Sequence, residues 1–227
     1  FLCGPGNRWV TEVKRQLHGR VGIDMLAGPS ELLILADASA NPAELAADLI
    51  GQAEHDEDAR PILVSTEASL VLAVESELAR QLTDLPTAAT ARTAIARQGI
   101  AVVCEDLGEA LRVCDEIAPE HLEVRLESAA QARALPALQH AGALFTGPGG
   151  AEVLGDYGAG PNHVLPTGGS ARQRGGLSVL DFLRVRTFLD LPASPQTAAL
   201  AQDAAALARL EGLEGHARAA ELRSGAR

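Results

Sequence analysis

Short, continuously apolar runs recur along the first 146 residues, and most are followed by a helical pattern. The first run is Leu32-Leu33-Ile34-Leu35, and later ones include Pro61-Ile62-Leu63-Val64 and Ile100-Ala101-Val102-Val103. Strands that are apolar on both faces are typical of a parallel sheet covered by helices on each side, because neither face meets water. The sequence therefore predicts an α/β fold, a parallel-sheet, Rossmann-like domain.

Strand and helix patterns alternate in a regular order before the chain changes character. Strands are predicted over 32–35, 61–64, 100–103, 122–126 and 142–146. Helices are predicted through 10–17, from 41, and over 67–83, 88–98, 106–117 and 129–139. A last strand-like run at 184–189 precedes an Ala/Leu-rich helical tail over about 195–224.

Composition excludes several classes of function. The net charge of −11 argues against a general nucleic-acid surface, since no basic cluster is present to meet phosphates. No apolar run approaches the about 20 residues that a membrane helix needs, and no charged-then-apolar leader is present. Cys3, Cys104 and Cys114 lack CxxC spacing, so we expect a reducing cytoplasm, with Cys104 and Cys114 in the core.

The segment 41–58 holds the first candidate for metal chemistry. Asn41 is suited to cap a helix, Pro42 to its first turn, and Glu44 to reach back toward the cap. Gln52 and His55 are three residues apart, so on a helix they share one face at about 5–6 Å between Cβ atoms. They could share a small cation. The alternative is a polar helix end that faces water.

Glu120 and His121 form a second candidate, in the connection before a strand. A carboxylate beside an imidazole is a common acid–base pair, because histidine titrates near neutrality. The position does not itself indicate a site, since ligands of parallel sheets gather beyond the carboxyl ends of strands. A capping glutamate and a partly buried histidine remain the alternative.

Glycine is frequent in two further segments. Residues 147–176 are predicted to lack regular structure; within them, Asp156 could be an oxygen ligand for a metal and His163 a ligand or hydrogen-bond donor. A turn-forming aspartate is the alternative for Asp156. Gly4-Pro5-Gly6-Asn7 precedes a helix and could approach a phosphate, although a plain turn fits equally well.

Five segments taken together resemble the histidinol dehydrogenase family. They are IDMLAGPSELLILADASANPAELAADLIGQAEHD, APEHLEV, LGDYGAGPNHVLPTGG, GLSVLDF and EGLEGHARA. The resemblance is collinear, covers essentially all 227 residues, and is most specific over 23–56.

The resemblance implies a reaction and the residues for it. Enzymes of this family oxidise L-histidinol to L-histidine in two NAD-dependent steps, through an aldehyde held on the enzyme. The implied zinc ligands are Gln52, His55, Asp156 and His216. Glu120 and His121 are the implied acid–base pair, and Asn7 is a cofactor contact. The substrate site is implied to comprise the zinc ligands and the acid–base pair together with Ser30, His163 and Glu211. His18 and His140 match no functional position and are expected at the surface.

The resemblance also implies domains and a partner. Residues 1–31 would end the cofactor-binding domain, 32–176 form the zinc and substrate domain, and 177–227 form a dimerisation tail. Family members are homodimers in which the tail completes the neighbour's site. They are roughly twice this long, so the N-terminal half is expected to be absent, the Rossmann-like fold incomplete, and the isolated chain inactive or impaired. Gly147-Pro148-Gly149-Gly150-Ala151 is also more glycine-rich than the family pattern before GDY.

Two other functions are compatible with parts of the pattern. A non-catalytic zinc-binding or assembly fragment would need the metal ligands but no turnover. A zinc hydrolase would need an open coordination position and no NAD. The four implied protein ligands and the AGPSE and APEH motifs favour the dehydrogenase over the hydrolase.

Overall fold

The structure, a computed structural model, describes residues 1–4 and 6–225. Pro5 of the predicted GPGN loop and residues 226–227 of the predicted tail lie outside the described residues. The chain divides into two compact units, Phe1–Leu183 and Arg184–Arg227.

The first unit is built on a five-stranded parallel sheet in the order β3-β2-β1-β4-β5. Its strands are β1 (Glu31–Ala36), β2 (Arg60–Ser65), β3 (Ile100–Val103), β4 (His121–Arg125) and β5 (Ala143–Thr146). β1 lies between β2 and β4 and is buried along its whole length. The predicted α/β fold with a parallel sheet is confirmed.

Seven α-helices of the first unit lie among the described residues. They are α1 (Arg8–Leu17), α2 (Pro42–Ala53), α3 (Ala68–Gln81), α4 (Ala88–Gln98), α5 (Leu107–Ile117), α6 (Ser128–Ala134) and α7 (Glu152–Asp156). The helices predicted before residue 140 are confirmed, although α6 ends five residues earlier than the predicted 129–139. α1 exposes Trp9, Val10 and Val13, whereas Lys14 is buried in an ion pair with Asp24 at 2.7 Å.

Two apolar clusters cover the two faces of the sheet. On one face Leu32 and Ile34 pack with α2 and α3, and on the other Leu33 and Leu35 pack with α5. Alternate residues of a strand point to opposite faces, so the pairing of Leu32 with His121 places His121 and Glu123 on the α2 face. Cys104 and Cys114 lie in the second cluster as predicted; Cys3 is exposed, and no disulfide joins the described residues.

Helix α2 begins as the sequence predicts. The Asn41 side chain accepts a hydrogen bond from the Ala43 N–H and donates one to Glu44 at 3.2 Å. α2 ends at Ala53, however, so His55 lies in the turn beyond it. The prediction that Gln52 and His55 share a helix face is therefore wrong, because Glu54 already closes the last turn by donating its N–H to Ile50.

The connection into β4 is unusual in its backbone. α5 ends at Ile117, and Ala118 follows with φ +49°, in the left-handed region that favours glycine. It is the one non-glycine residue in that region within the described ranges. Ala118 is fully buried and is followed directly by Pro119 and Glu120.

Residues 147–176 contain regular structure that was not predicted. α7 occupies 152–156, and a short 3-10 helix occupies Ser170–Arg172. The glycines permit α7, because a Cβ at Gly150 would lie 2.2 Å from the Thr146 carbonyl oxygen, and one at Gly155 would lie 2.6 Å from the Phe145 ring. Glycine at these positions allows close packing against β5. From composition alone, the same glycines predict a loop.

The strand predicted at 184–189 is wrong. This segment belongs to the second unit and has no regular structure, and Val185 and Phe188 are 101% and 85% exposed. Alternating apolar residues fit a strand, but none of the described strands pairs with the segment. An alternating apolar pattern does not form a β-strand without a neighbouring strand to hydrogen-bond with.

The second unit contains a helix pair, α8 (Pro195–Leu210) and α9 (Glu214–Glu221). Ser194 caps α8 through the Thr197 N–H, and Arg209 joins the helices through ion pairs with Glu214 and Glu221. The predicted helical tail is confirmed. Across the described residues, the helices are too short or too polar to span a bilayer.

Candidate metal and acid–base site

Glu120 lies at the amino edge of the sheet, one residue before β4. Its Oε2 accepts hydrogen bonds from the Ser30 hydroxyl at 2.7 Å and from the Glu31 N–H at 2.9 Å. Burial raises the pKa of Glu120 to about 7, although these two hydrogen bonds act in the opposite direction. A carboxyl group with a pKa near neutrality is suited to both give and take a proton.

His121 is the first residue of β4 and is buried. Its Nδ1 lies 2.9 Å from the Glu31 carbonyl oxygen. A carbonyl oxygen only accepts, so Nδ1 carries the proton and Nε2 keeps its lone pair. Nε2 is buried and has no hydrogen-bond partner among the described residues. Burial also lowers the pKa of His121, which favours the neutral ring that a general base requires.

Three side chains come together as possible metal ligands. His55, Glu152 and Asp156 each offer one ligand atom, and these atoms lie within 4.8 Å of one another. Glu152 and Asp156 are four residues apart on α7 and therefore share one helix face. His55 reaches the cluster from the turn after α2.

The side chain of Gln52 gives independent support for ligand binding at this site. It is fully buried in the last turn of α2, and neither its Oε1 nor its Nε2 has a partner within the described residues. An unpaired buried amide costs about 1–3 kcal/mol, so such groups are rare unless something else binds them. An amide oxygen, an imidazole and carboxylates form a nitrogen–oxygen donor set that fits Zn²⁺.

The site concentrates negative charge. Burial and, to a smaller extent, the charges of Asp156, Glu123 and Glu120 together raise the pKa of Glu152 to about 9. Glu123, which accepts the Glu152 N–H at 2.7 Å, also has its pKa raised to about 7, mainly by burial. A divalent cation would offset this repulsion, since an opposite charge favours ionised carboxylates.

Helix direction favours a cation at the same place. α2 and α5 carry the chain back from the end of one strand to the start of the next, so both helices end at the amino edge of the sheet. The carboxyl end of a helix carries a partial negative charge of about half an elementary unit. Two such ends point toward the edge where Gln52, Glu120 and His121 lie.

The remaining predicted residues lie around this cluster or on the second unit. His163 is exposed and lines a cavity of about 230 Å³ together with Glu120. Asn7 and Ser30 line a cleft of about 670 Å³, and the Asn7 side-chain oxygen caps α1 by accepting from Trp9 and Val10 N–H groups. Glu211 follows the last turn of α8 and His216 lies on α9, both exposed.

The two histidines expected at the surface differ. His18 is exposed, as predicted. His140 is half-buried, and its backbone N–H donates to the Asp115 carboxylate at 3.1 Å, so the expectation holds only in part.

Glu152 was missed by sequence reasoning. Residues 147–176 were expected to be irregular, and without a helix Glu152 and Asp156 have no reason to meet. The signal that would have found it is the Glu-x-x-x-Asp spacing, which places two carboxylates on one face of a helical turn.

Comparison with known proteins identifies relatives along the whole chain. The family model for histidinol dehydrogenase matches residues 1–224. Histidinol dehydrogenases of Thermus thermophilus and Geobacillus kaustophilus each share 50% sequence identity with this chain. Both alignments cover 98% of this chain, and they cover 53% and 52% of the two enzymes' own lengths. The crystal structure of histidinol dehydrogenase from Elizabethkingia anophelis superimposes with a TM-score of 0.89 at 35% identity, over 97% of this chain and 50% of that one. The chain thus spans about half the length of the relatives that it matches.

Proposed function

The chain belongs to the histidinol dehydrogenase family, and we propose that the complete protein that carries it oxidises L-histidinol to L-histidine, with zinc in the site and NAD as hydride acceptor. The activity is proposed for a protein that also supplies the length present in the relatives. One observation carries the proposal: Glu120 and His121 bond to the same residue, Glu31, at the edge of the sheet where the metal-ligand groups converge.

The metal would be held by Gln52, His55 and Asp156 of one subunit, with His216 from the neighbouring copy. The orphaned Gln52 amide and the clustered His55 and Asp156 support the first three. When bound, zinc would orient the imidazole and amine of the substrate and favour developing negative charge nearby. Glu152 lies beside this set and helps to balance the charge of a divalent ion.

In the first oxidation, His121 acts as the general base. Its Nε2 lone pair takes the hydroxyl proton while the carbinol carbon gives up its hydride, which leaves an aldehyde and the protonated imidazole. NAD supplies the hydride acceptor in this step and in the next. Ser30, His163 and Glu211 are proposed to hold the substrate, with Glu211 accepting a hydrogen bond from its amino group.

In the second oxidation, Glu120 activates water. Its pKa of about 7 leaves it partly ionised at neutral pH, so it can take a proton from the water that adds to the aldehyde carbonyl. The protonated His121 gives its proton to the carbonyl oxygen as the water adds, which forms the diol. The neutral His121 then takes a proton from this diol as the second hydride leaves. The products are the carboxylic acid and, in total, two molecules of NADH.

The proposed partner is a second copy of the chain. The second unit presents large exposed apolar side chains on α8, among them Leu200, Leu207 and Leu210. An apolar helix pair gains stability by packing on another surface. We propose that it packs on the neighbour and there supplies His216 and Glu211, in a cytoplasmic homodimer.

The test is histidinol-dependent NAD reduction by the complete protein, with zinc content measured on the same sample. We expect two NADH per histidinol consumed and histidine as the product. Failure of the zinc-loaded, folded protein to form NADH from histidinol would overturn the proposal.

A second candidate applies to the chain alone, as a metal-binding unit without turnover. Gln52, His55, Glu152 and Asp156 all belong to the first unit, so they can bind an ion without help from residues elsewhere. Zinc titration of the isolated chain, followed by addition of histidinol and NAD, separates binding from catalysis.

A further inference from the structure

The geometry points to Glu31 as a positioning residue: its carboxylate, held by Arg60 and the Gly168 N–H, fixes the backbone that orients both Glu120 and His121. The inference rests on the proposed function for its effect on turnover. Its structural basis lies on the face of the sheet opposite the metal cluster.

The backbone of Glu31 serves both members of the acid–base pair. Its N–H donates to Glu120 Oε2 at 2.9 Å, and its carbonyl oxygen accepts from His121 Nδ1 at 2.9 Å. The paired part of the β1–β4 ladder starts at Leu32 and His121, so Glu31 lies one residue ahead of it. Its N–H and carbonyl therefore bind side chains.

The side chain of Glu31 is anchored on the other face. It is 2% exposed and lies on the same face as Leu33, which packs with α5. Oε1 accepts from the Arg60 guanidinium at 2.7 Å, and Oε2 accepts from the Gly168 N–H at 3.3 Å. A buried carboxylate needs such partners, because an unpaired one is strongly destabilising.

These contacts tie two segments, the start of β2 and the glycine-rich segment, to Glu31. Arg60 begins β2 and donates its own N–H to the Ser30 carbonyl at 2.9 Å. Gly168 belongs to the glycine-rich segment, where Thr167 Oγ1 accepts from the Gly28 N–H at 2.6 Å. The start of β1 is thus held from both sides, which limits the movement of the peptide groups that Glu120 and His121 contact.

Fixing the Glu31 carbonyl also fixes the chemistry of His121. The carbonyl holds the proton on Nδ1 and leaves Nε2 free to act as base. If the carbonyl moves away, the ring can adopt the other tautomer, with the proton on Nε2 and no lone pair there. Misplacement of a catalytic group by about 1 Å can reduce the rate about 100-fold.

The principal test uses Glu31→Gln in the complete protein. The substitution keeps the size of the side chain but turns an NH₂ group toward one of two donors, so one anchor is lost. We expect kcat to fall about 10- to 100-fold, with KM for histidinol and zinc per subunit unchanged within about twofold.

A readout independent of activity is the ring of His121, followed by ¹⁵N NMR of histidine-labelled protein. We expect a single neutral tautomer with Nδ1 protonated in the parent, and a mixture of tautomers in Glu31→Gln. An unchanged ring signal in the folded variant overturns the inference, even if kcat falls. If the parent forms no NADH, the proposed function fails, but the ring signal still decides the positioning role.

Arg60 provides the control series and a route if Glu31→Gln does not fold. Arg60→Met removes the guanidinium from a half-exposed position, and Arg60→Lys restores a charged donor. We expect the tautomer shift and the fall in kcat in Arg60→Met, with partial rescue in Arg60→Lys. Arg80→Met, which breaks a surface pair with Glu77, should change neither. Equal effects of Arg60→Met and Arg80→Met would contradict the inference.

Discussion

Polar side chains at the amino edge of the sheet differ in their hydrogen bonding from those at the carboxyl edge. At the amino edge, Gln52 and the His121 Nε2 are buried without partners among the described residues. At the carboxyl edge, Asp37 is fully engaged, since it accepts from the N–H and hydroxyl of Ser39 and from the Glu127 N–H. Arg125 Nε is unpaired there, but its terminal nitrogens bond Gly147 and Glu123.

The difference runs against the usual rule for parallel sheets. The order β3-β2-β1-β4-β5 places the topological switch point between β1 and β4, where ligands ordinarily bind beyond the carboxyl ends. That crevice exists here, with a volume of about 280 Å³. The metal-ligand groups instead gather at the amino ends of the same strands.

Helix polarity gives a physical reason. The carboxyl edge of a parallel sheet faces helix amino ends, which attract phosphates, whereas the amino edge faces helix carboxyl ends, which attract cations. A site built around a metal ion and an imidazole base is served better by the second edge. The charge of the ligand decides which edge of the sheet carries the chemistry.

The largest expected effect sharpens this contrast through His121. His121→Asn in the complete protein should lower kcat by about 10²–10⁴-fold, because it removes the base. Zinc content should remain unchanged, since the ring binds the Glu31 carbonyl. Steady-state kinetics and metal analysis provide the measurement. Gln131→Ala, which alters the carboxyl-edge crevice, is the control and should leave kcat intact. Loss of zinc from His121→Asn would contradict the assignment.

Gln52 distinguishes a ligand from an ordinary buried amide. Gln52→Leu should reduce bound zinc at least about tenfold, yet raise the free energy of unfolding of the metal-free protein by about 1 kcal/mol. The gain is expected because an unpaired amide disappears from the interior. Metal analysis and urea unfolding with a chelator measure the two effects.

The matched control is on α3. Gln81 donates to the Ala43 carbonyl at 2.8 Å, so Gln81→Leu should lower stability and leave zinc unchanged. If Gln52→Leu retains its metal, the amide is not a ligand.

The crowded carboxylates predict an unusual dependence of stability on pH. The pKa of Glu152 is raised to about 9 in the folded protein, so between its ordinary value of 4.5 and 9 only the unfolded chain releases this proton. The free energy of unfolding of the metal-free protein should therefore fall as pH rises from 7 to 9, by about 1.4 kcal/mol per pH unit. Glu120 and Glu123, with pKa values of about 7, add to the fall mainly below pH 7.

Other groups act outside this window. The lowered pKa of His121 makes stability fall as pH drops below 6.5, and that of Asp24 does so below 3.8. Urea unfolding at pH 7, 8 and 9 tests the prediction. Glu152→Gln or excess zinc should flatten the profile, and a slope unaffected by both would count against a shared cation site.

The smallest expected effect compares two serines. Ser30 donates its hydroxyl to Glu120 at 2.7 Å at the amino edge, and Ser39 donates to Asp37 at 2.6 Å at the carboxyl edge. Ser30→Ala should lower kcat/KM about tenfold by removing a hydrogen bond to a charged group. Ser39→Ala should leave kcat/KM unchanged, and similar losses in both variants would erase the distinction between the edges.

The sheet could be predicted well from the sequence because each buried parallel strand is recognisable from its own few residues. Each run such as Leu32–Leu35 is apolar enough to indicate its own burial, and Asn41 and Glu44 mark a helix start through contacts within one turn. Gln52, Glu120 and His121 were found as candidates for the same reason, since each lies in a short motif.

The missed features depend on distant partners. Glu152 joins the site only because glycines at 150 and 155 let α7 pack against β5. Glu31 acts through Arg60 and Gly168, which lie 29 and 137 residues away. The 184–189 segment has a strand pattern without a neighbouring strand. Local spacing can place Glu152 and Asp156 on one helix face, but neither composition nor periodicity specifies which distant segment each of these residues contacts.

The left-handed turn at Ala118 has a consequence for the acid–base pair that follows it. A non-glycine residue there carries a strain of about 1–3 kcal/mol, and the following Pro119 has a ring-locked φ. The segment Ala118-Pro119 therefore has few accessible backbone conformations once the domain has folded. The conformational entropy that is lost when Glu120 and His121 are ordered is therefore lost during folding. Substrate binding does not have to offset that loss.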